Sequence, residues 1–317
     1  PVDPTATERA LHEITHLPYR SWCKHCVAGK GKQTPHRHGA SHLPVVQIDY
    51  AFMTIPEEDF RATVSTAIDV RTQTCMAVVV PSKAAIPYAI AELKRFLFEC
   101  GRTYAVLQCD GESSVKVVAQ GIAKDLGGIS LRYAPVGSSE SQGSVERLHQ
   151  TLFAQVRVMR SAFIERYGME KIDFGVDSVF MPWLVKHAAF TLNRFMLNDD
   201  GQTPFRRRWQ RDFLTGMAEF GETVHFRITG RHWRHKADPA FNTGMWLGRD
   251  PDSGEHLIGW KQGVSKTRTI RRFASSERFQ PQILNDVVGL PWDPRNNGKF
   301  DESFIIDKAH KPVLEIP

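Results

Sequence analysis

The 317-residue chain exceeds one minimal domain, and its 41% hydrophobic and 24% charged residues are the balance of a folded globular protein rather than a disordered or membrane-embedded one. Lys and Arg outnumber Asp and Glu by 41 to 35, and the resulting net charge of +6 favours a polyanionic partner. Five cysteines, an odd number in a long chain, argue against a secreted disulfide scaffold and for a reducing compartment, and no apolar run reaches the ~18–20 residues of a membrane span.

The chain opens on Pro1 with neither an apolar core nor a basic leader, as a piece of a longer chain would. Residues 1–40 combine a predicted helix, "TATERALHEITH", with "LPYRSWCKHCVAGKGKQTPHRH", which is rich in turn residues and cations and holds too little apolar material for a core of its own. Cys23 and Cys26 have the spacing of one half of a tetrahedral zinc site. His12 and His16, four residues apart, share a helix face, and His25, His36 and His38 are reserve ligands. Cys75, Cys100 and Cys109 lie in apolar contexts and read as buried hydrophobes.

From Val45, "VVQIDYAFM", "RATVSTAIDV" and "TCMAVVVPSK" are short β-branched runs separated by polar turns, the pattern of an antiparallel meander. A helix over "AAIPYAIAELKRFLFECG", a strand at "YAVLQCD", a helix over "SVKVVAQGIAKDLGG" and a strand at "ISLRYAP" follow. The order βββαβαβ predicts a mixed five-stranded sheet with helices on its faces. After the loop "VGSSESQGS" come a long helix to about Tyr167, another through "MPWLVKHAAFTLNRFML" and a short one around "TPFRRRWQ". From Phe220, "TVHFRIT", "GMWLGRD", "EHLIGW" and "TRTIRRF" suggest a small β-barrel or sandwich, and the residues after Phe279 suggest an extended tail. The expected domains are 1–40, a core at 41–215, a β domain at 216–280 and a tail at 281–317.

Asp49 ("VVQIDY") and Asp110 ("VLQCDG") each end an apolar run, so their carboxylates converge if the two strands are neighbours. Such a pair repels unless a cation lies between them, and hard divalent ions such as Mg²⁺ suit carboxylate oxygens. Glu146, in the first turn of the long helix, can complete the site from the side. Ordinary turn and cap roles are the competing explanation for each acid taken alone. Asp69 is explained by a β-turn, and Glu112 as a helix cap or a neighbour of the ligands.

The spacing of these acids, with 35 residues (111–145) between the second and the third, the strand-ending "CDG" and the "SQG-x-VER" helix entry resemble the catalytic core of retroviral and copia-type retrotransposon integrases. "CKHCVAGKGKQTPHRH", "TLNRFMLNDDGQTPF" and "FGETVHFRI…KADPAFNTGMWLGRD" are similar to segments before and after that core, so the likeness runs from about residue 9 to 280. The resemblance implies a ribonuclease-H-like α/β core, flanked by a short zinc-binding N-terminal segment and a small all-β C-terminal barrel. It implies that Asp49, Asp110 and Glu146 hold two Mg²⁺ or Mn²⁺ ions for strand transfer of element DNA, with 3′-end processing as the second reaction that such a site performs. His12, His16, Cys23 and Cys26 would be the implied zinc ligands, although only six residues separate His16 from Cys23, where the family has a much longer spacer. Double-stranded DNA, further copies of the chain and other Pol polyprotein regions are the implied partners. The implied place of action is the nucleus, after a cytoplasmic particle stage.

The long helix carries Glu146, His149, Gln150, Phe153, Arg157 and Arg160 on one broad face, so His149, Gln150, Arg157 and Arg160 are the candidate DNA contacts. Further cations cluster in "GKGKQTPHRHG", "FRRRWQR", "RITGRHWRHK" and "KTRTIRR", the last two interleaved with Phe226, Trp233 and Phe273. In the family the loop equivalent to "GSSESQGS" borders the site and moves. Two other readings stand beside this one: a related two-metal transposase or nuclease, and a decayed or domesticated copy that only binds DNA or a chromatin partner.

Overall fold

In a computed structural model, residues 3–15, 20–30, 43–54, 60–81, 86–134, 142–170, 174–227, 237, 239–297 and 307–308 are described. The chain divides into two compact units, 1–40 and 41–317.

The first unit holds helix α1 (Ala6–Thr15) and helix α2 (Lys24–Lys30). α1 begins with a reciprocal capping box. The Glu8 N–H donates to Thr5 Oγ1, and Glu8 Oε2 accepts from the Thr5 N–H at 2.8 Å, satisfying N–H groups that a helix start otherwise leaves open.

The second unit is built on strands β1 (Val45–Thr54), β2 (Phe60–Asp69), β3 (Cys75–Val80), β4 (Ala105–Cys109) and β5 (Ile129–Tyr133), with helix α3 (Ile86–Glu99) before β4 and helix α4 (Ser113–Leu126) before β5. β1 to β3 form the expected antiparallel meander, whereas β4 runs parallel to β1 and β5 parallel to β4. The resulting order β3-β2-β1-β4-β5, with helices on both faces, is an α/β, ribonuclease-H-like arrangement. A two-residue strand, β11 (Asp307–Lys308), extends the sheet beside the start of β2.

Alternation along the strands assigns the faces. Val46, Ile48 and Tyr50 of β1 pack with Leu107 and Cys109 of β4 against α3 and α4. Met53 of β1 and Ala62, Val64 and Ile68 of β2 point the other way, onto helix α5 (Gly143–Tyr167) and helix α6 (Phe180–Phe195). α5 buries Val145, Leu148, Leu152, Val156, Phe163 and Tyr167, an apolar stripe at helical spacing, and α6 is buried almost all round. Near the end of α6, the Asn193 side chain accepts from the Cys75 N–H at 2.8 Å and donates to the Cys75 carbonyl at 2.7 Å, pairing with β3 as a neighbouring strand would. The short helix α7 (Pro204–Trp209) follows.

Strands β6 (Thr223–Arg227), β7 (Phe241–Arg249), β8 (His256–Trp260), β9 (Gly263–Thr267) and β10 (Ile270–Arg272) form a second, antiparallel sheet in the order β10-β6-β7-β8-β9. It curls until the Thr267 hydroxyl, at the end of β9, donates to the Arg227 carbonyl at the end of β6, and among the described residues its strands pair as an open path. Val224, Phe226, Trp246 and Ile258 make a small core on one face, while Met245, Leu247 and Leu257 join the α5–α6 core on the other. At Gly221 (φ 87°) a Cβ would lie 2.5 Å from the Phe163 ring, so only glycine allows this approach, and the Tyr167 hydroxyl donates to the Gly221 carbonyl at 2.6 Å.

Where the sequence suggests an extended tail, Pro281–Asp286 form a 3₁₀ helix, and Ile283, Val287 and Trp292 are buried in the α5–α6 core. The Trp183 indole N–H donates to the Gly289 carbonyl at 3.0 Å. Three spaced apolar anchors hold this segment, and they show no period because it has no regular helix or strand. Among the described residues no helix is long and apolar enough to cross a membrane.

Candidate functional site

The parallel pairing of β1 with β4 puts Gln47 opposite Gln108. Two residues further along, Asp49 lies in β1 and Asp110 directly after β4, on the face that meets α5. Gln47 Oε1 accepts the Val145 N–H at 3.0 Å. Val145 is the third residue of α5, so its N–H is one of those a helix leaves without an internal partner, and the N-cap residue Gln142 makes no side-chain capping bond. A side chain of β1 therefore caps α5 and sets the height of Glu146, the next residue. One turn later the Thr66 hydroxyl spends its single hydrogen on the Asp49 carbonyl at 3.0 Å, so the 2.8 Å contact to His149 is a bond from the ring Nε2–H to the Thr66 oxygen. β1, β2 and α5 are thus fastened together around the acids.

Burial, followed by the charges of Asp110, Glu112 and Glu146, raises the Asp49 pKa to about 6 against the opposing hydrogen bond from the Tyr50 N–H. Asp110 Oδ1 accepts from the Glu112 N–H at 3.0 Å, and Glu112 accepts from the Ser114 hydroxyl at 2.7 Å. Burial and Glu112 also push the Tyr50 hydroxyl up to about 12. The cluster thus contains a fourth acid, Glu112, which the sequence placed only at its border. No three of these carboxylates have oxygens that all lie within 4.8 Å of one another. Asp69 has the turn role expected of it: fully buried, it accepts from the Arg71 N–H, the Thr72 hydroxyl and the Arg102 guanidinium. An all-oxygen, all-acidic cluster in which neighbouring carboxylates raise the cost of ionising Asp49 suits a hard divalent cation, which would relieve that cost.

The first unit brings His12, Cys23 and Cys26 together, with ligand atoms all within 4.8 Å and all three side chains buried. Cys26 Sγ lies 3.3 Å from His12 Nε2. Hydrogen bonding from the backbone of Cys26 leads the effects that lower the Cys23 pKa, with the His25 backbone adding to it, which favours the thiolate that binds metal. This donor set of two sulfurs and one imidazole suits zinc. His16, His36 and His38 lie outside the described residues, and the His25 side chain is exposed.

Of the expected DNA contacts on α5, Gln150 and Arg157 are exposed. The other two turn inward. His149 binds Thr66, and burial lowers its pKa, while Arg160 Nε donates to the Phe174 carbonyl at 2.7 Å. Several cations of the basic runs are ion-paired within the chain. Arg206 pairs with Asp212, Arg207 with Asp200, Lys266 with Asp250 and Arg272 with Glu222, while Phe226 is a core residue of the small sheet rather than a surface platform. "RITGRHWRHK" after Arg227, most of "GKGKQTPHRHG" and residues 135–141 of the loop before α5 lie outside the described residues.

Sequence reasoning passed over Gln47 and Thr66, which position the acids and α5. One signal was available: Gln-x-Asp occurs in both "VVQIDY" and "VLQCDG", and strand alternation puts the Gln on the same face as the Asp.

No family model matches the chain, and no curated protein matches it. Solved structures similar to it include the HTLV-2 integrase catalytic core domain in complex with magnesium (11% identity, 52% of this chain and 95% of that one, TM-score 0.37). The BIV integrase catalytic core domain is similar at 17% identity over 52% of this chain and 93% of that one, with a TM-score of 0.37. A simian T-cell lymphotropic virus intasome in complex with PP2A regulatory subunit B56 gamma contributes a chain at 14% identity, covering 85% of this chain and 92% of that one, with a TM-score of 0.45. At these identities the likeness concerns the path of the backbone.

Proposed function

We propose that the chain is a divalent-metal-dependent polynucleotidyl transferase that joins DNA ends to a target duplex, an integrase of the copia-type retrotransposon class. The observation that carries this reading is the acid cluster: two neighbouring parallel strands and a helix capped by one of them gather Asp49, Asp110 and Glu146, and Asp49 feels both of the other charges. Asp49, Asp110 and Glu146 would hold two Mg²⁺ or Mn²⁺ ions, which supply an activated oxygen nucleophile and neutralise charge on the departing oxygen.

The chain's own residues supply position. Gln47 fixes the first turn of α5 and with it Glu146, while Thr66 and His149 lock β1 to that helix. The Glu112 N–H orients Asp110 from the side of α4. Exposed Gln150 and Arg157, on the helix that carries Glu146, are placed to meet phosphates of the duplex, whose backbone contacts position without reading sequence. His12, Cys23 and Cys26 would hold zinc, with a fourth ligand outside the described residues. Joining of paired ends makes a multimer the working form, acting in the nucleus on double-stranded DNA and beside other products of the same polyprotein.

The test is joining of a labelled model end to target DNA in Mg²⁺ or Mn²⁺. Asp110→Ala and Glu146→Ala should each abolish joining with the fold intact. Persistent joining in either variant would sink the assignment, and cleavage without joining by the unsubstituted protein would make it a nuclease.

A further inference from the structure

On the α4 side of the acid cluster, a lysine and a tyrosine stand together. β5 runs beside β4 in a register that puts Tyr133 opposite Cys109, the residue before Asp110. Ile129 and Leu131 of β5 pack in the core with α3 and α4, and strand alternation puts Tyr133 on their face, at the end of the strand, where it is 41% exposed. Lys116 lies in the first turn of α4, the helix that begins just after Asp110, and its Nζ is 5.3 Å from the centre of the Tyr133 ring.

Glu112 stands four residues before Lys116, a spacing at which a carboxylate and an ammonium can meet on a helix. The half-buried lysine reaches over the tyrosine instead, and among the described residues it forms no ion pair. A ring face attracts the ammonium weakly and offers it no lone pair, so its N–H groups stay open to an oxygen acceptor. The acid cluster meanwhile reaches from Glu146 on α5 to Glu112 at the start of α4, and these two helices cover opposite faces of the sheet. Exposed Gln150 and Arg157 serve the α5 side. A DNA strand brings a row of phosphates, and those next to the reacting one are repelled by the carboxylates. A cation just beyond the cluster offsets that repulsion on the α4 side.

We propose that the Lys116 ammonium binds a backbone phosphate of the DNA strand whose end occupies the acid cluster, and that the Tyr133 ring is the positioning group that holds the ammonium there. This rests on the reading of the cluster as a DNA-joining centre. The contact fixes the strand and reads no base.

Binding of a labelled DNA end to the full chain, followed by fluorescence anisotropy over a range of salt, reads the contact without any joining. Lys116→Gln should weaken binding about tenfold and make the slope of log affinity against log salt shallower by about one, while Lys116→Arg stays near the unsubstituted protein. Tyr133→Phe should bind as the unsubstituted protein does, whereas Tyr133→Leu should lose roughly threefold, because the ring face is what holds the charge. In the joining assay Lys116→Gln should raise KM for the DNA end and leave kcat and the Mg²⁺ requirement in place. An unchanged salt slope in Lys116→Gln overturns the contact, as does a changed Mg²⁺ requirement with DNA affinity intact, because the lysine then serves the acids. Binding with the expected slopes but no joining by the unsubstituted protein leaves the contact standing and removes the integrase reading. No binding by the unsubstituted protein overturns both.

Discussion

The two candidate metal centres are built in opposite ways. The cluster of His12, Cys23 and Cys26 is local: α1 and the start of α2, with the residue just before it, bring two sulfurs and an imidazole to within 4.8 Å. The acid cluster is assembled from residues 49 to 146, through strand register, a helix capped from a distant strand and a hydroxyl shared between elements. The first depends on few contacts and the second on the packing of a whole sheet. A small unit with little apolar core relies on its metal for order, whereas a large one can hold mutually repelling acids in place before any metal arrives.

This contrast can be broken most severely at the acids. Asp110→Asn should lower joining by about a thousandfold or more, because a ligand is lost. It should leave the melting temperature without metal unchanged or higher, because a charge that raises the Asp49 pKa is gone. A marked fall in melting temperature would mean that Asp110 holds the fold. Cys26→Ser should abolish zinc binding and disorder 1–40, while the main thermal transition of 41–317 stays in place; atomic absorption and calorimetry read the two effects separately.

A pH titration sharpens the stability of the larger unit. Burial holds His187 down at about 3 and His256 at about 4, so both are neutral in the folded protein. Unfolded, they take up protons near the ordinary value of 6.5, so their share of stability is complete above 6.5 and is lost as pH falls from there towards 3 to 4. Denaturant midpoints measured from pH 7 down to 4 should fall, and His187→Phe should flatten the slope; an unchanged slope would mean that the ring is not buried as described.

The smallest expected effect falls on Gln47. Gln47→Ala should cost about 1 kcal/mol of stability for the lost hydrogen bond and cap. Its loss of joining should be larger in proportion, roughly tenfold, since Glu146 follows directly on the capped residue. Equal and small losses in both would reduce Gln47 to an ordinary core hydrogen bond.

Much of this was legible in the chain. The β-branched run "VVQIDYAFM", the apolar spacing in α5 and the Cys-x2-Cys pair each follow from a local rule, and each element formed where that rule puts it. The packed segment 281–293 escaped because its anchors, Ile283, Val287 and Trp292, have no period. The ion pairing of the basic runs also escaped, because reading each run by itself does not show that Asp200, Asp212, Glu222 and Asp250 pair with Arg207, Arg206, Arg272 and Lys266.

By itself the sequence determined which segments alternate, which helices are amphipathic and which residues carry hard or soft donors, since these properties depend on neighbours a few positions away. Only the tertiary structure decided that Gln47 faces Gln108 and caps α5, that His149 and Arg160 turn inward, that Glu112 joins the acids, and that Lys116 lies over Tyr133. Those outcomes depend on strand register and on which helix lies over which face, and both are set by burying the two sides of one sheet at the same time.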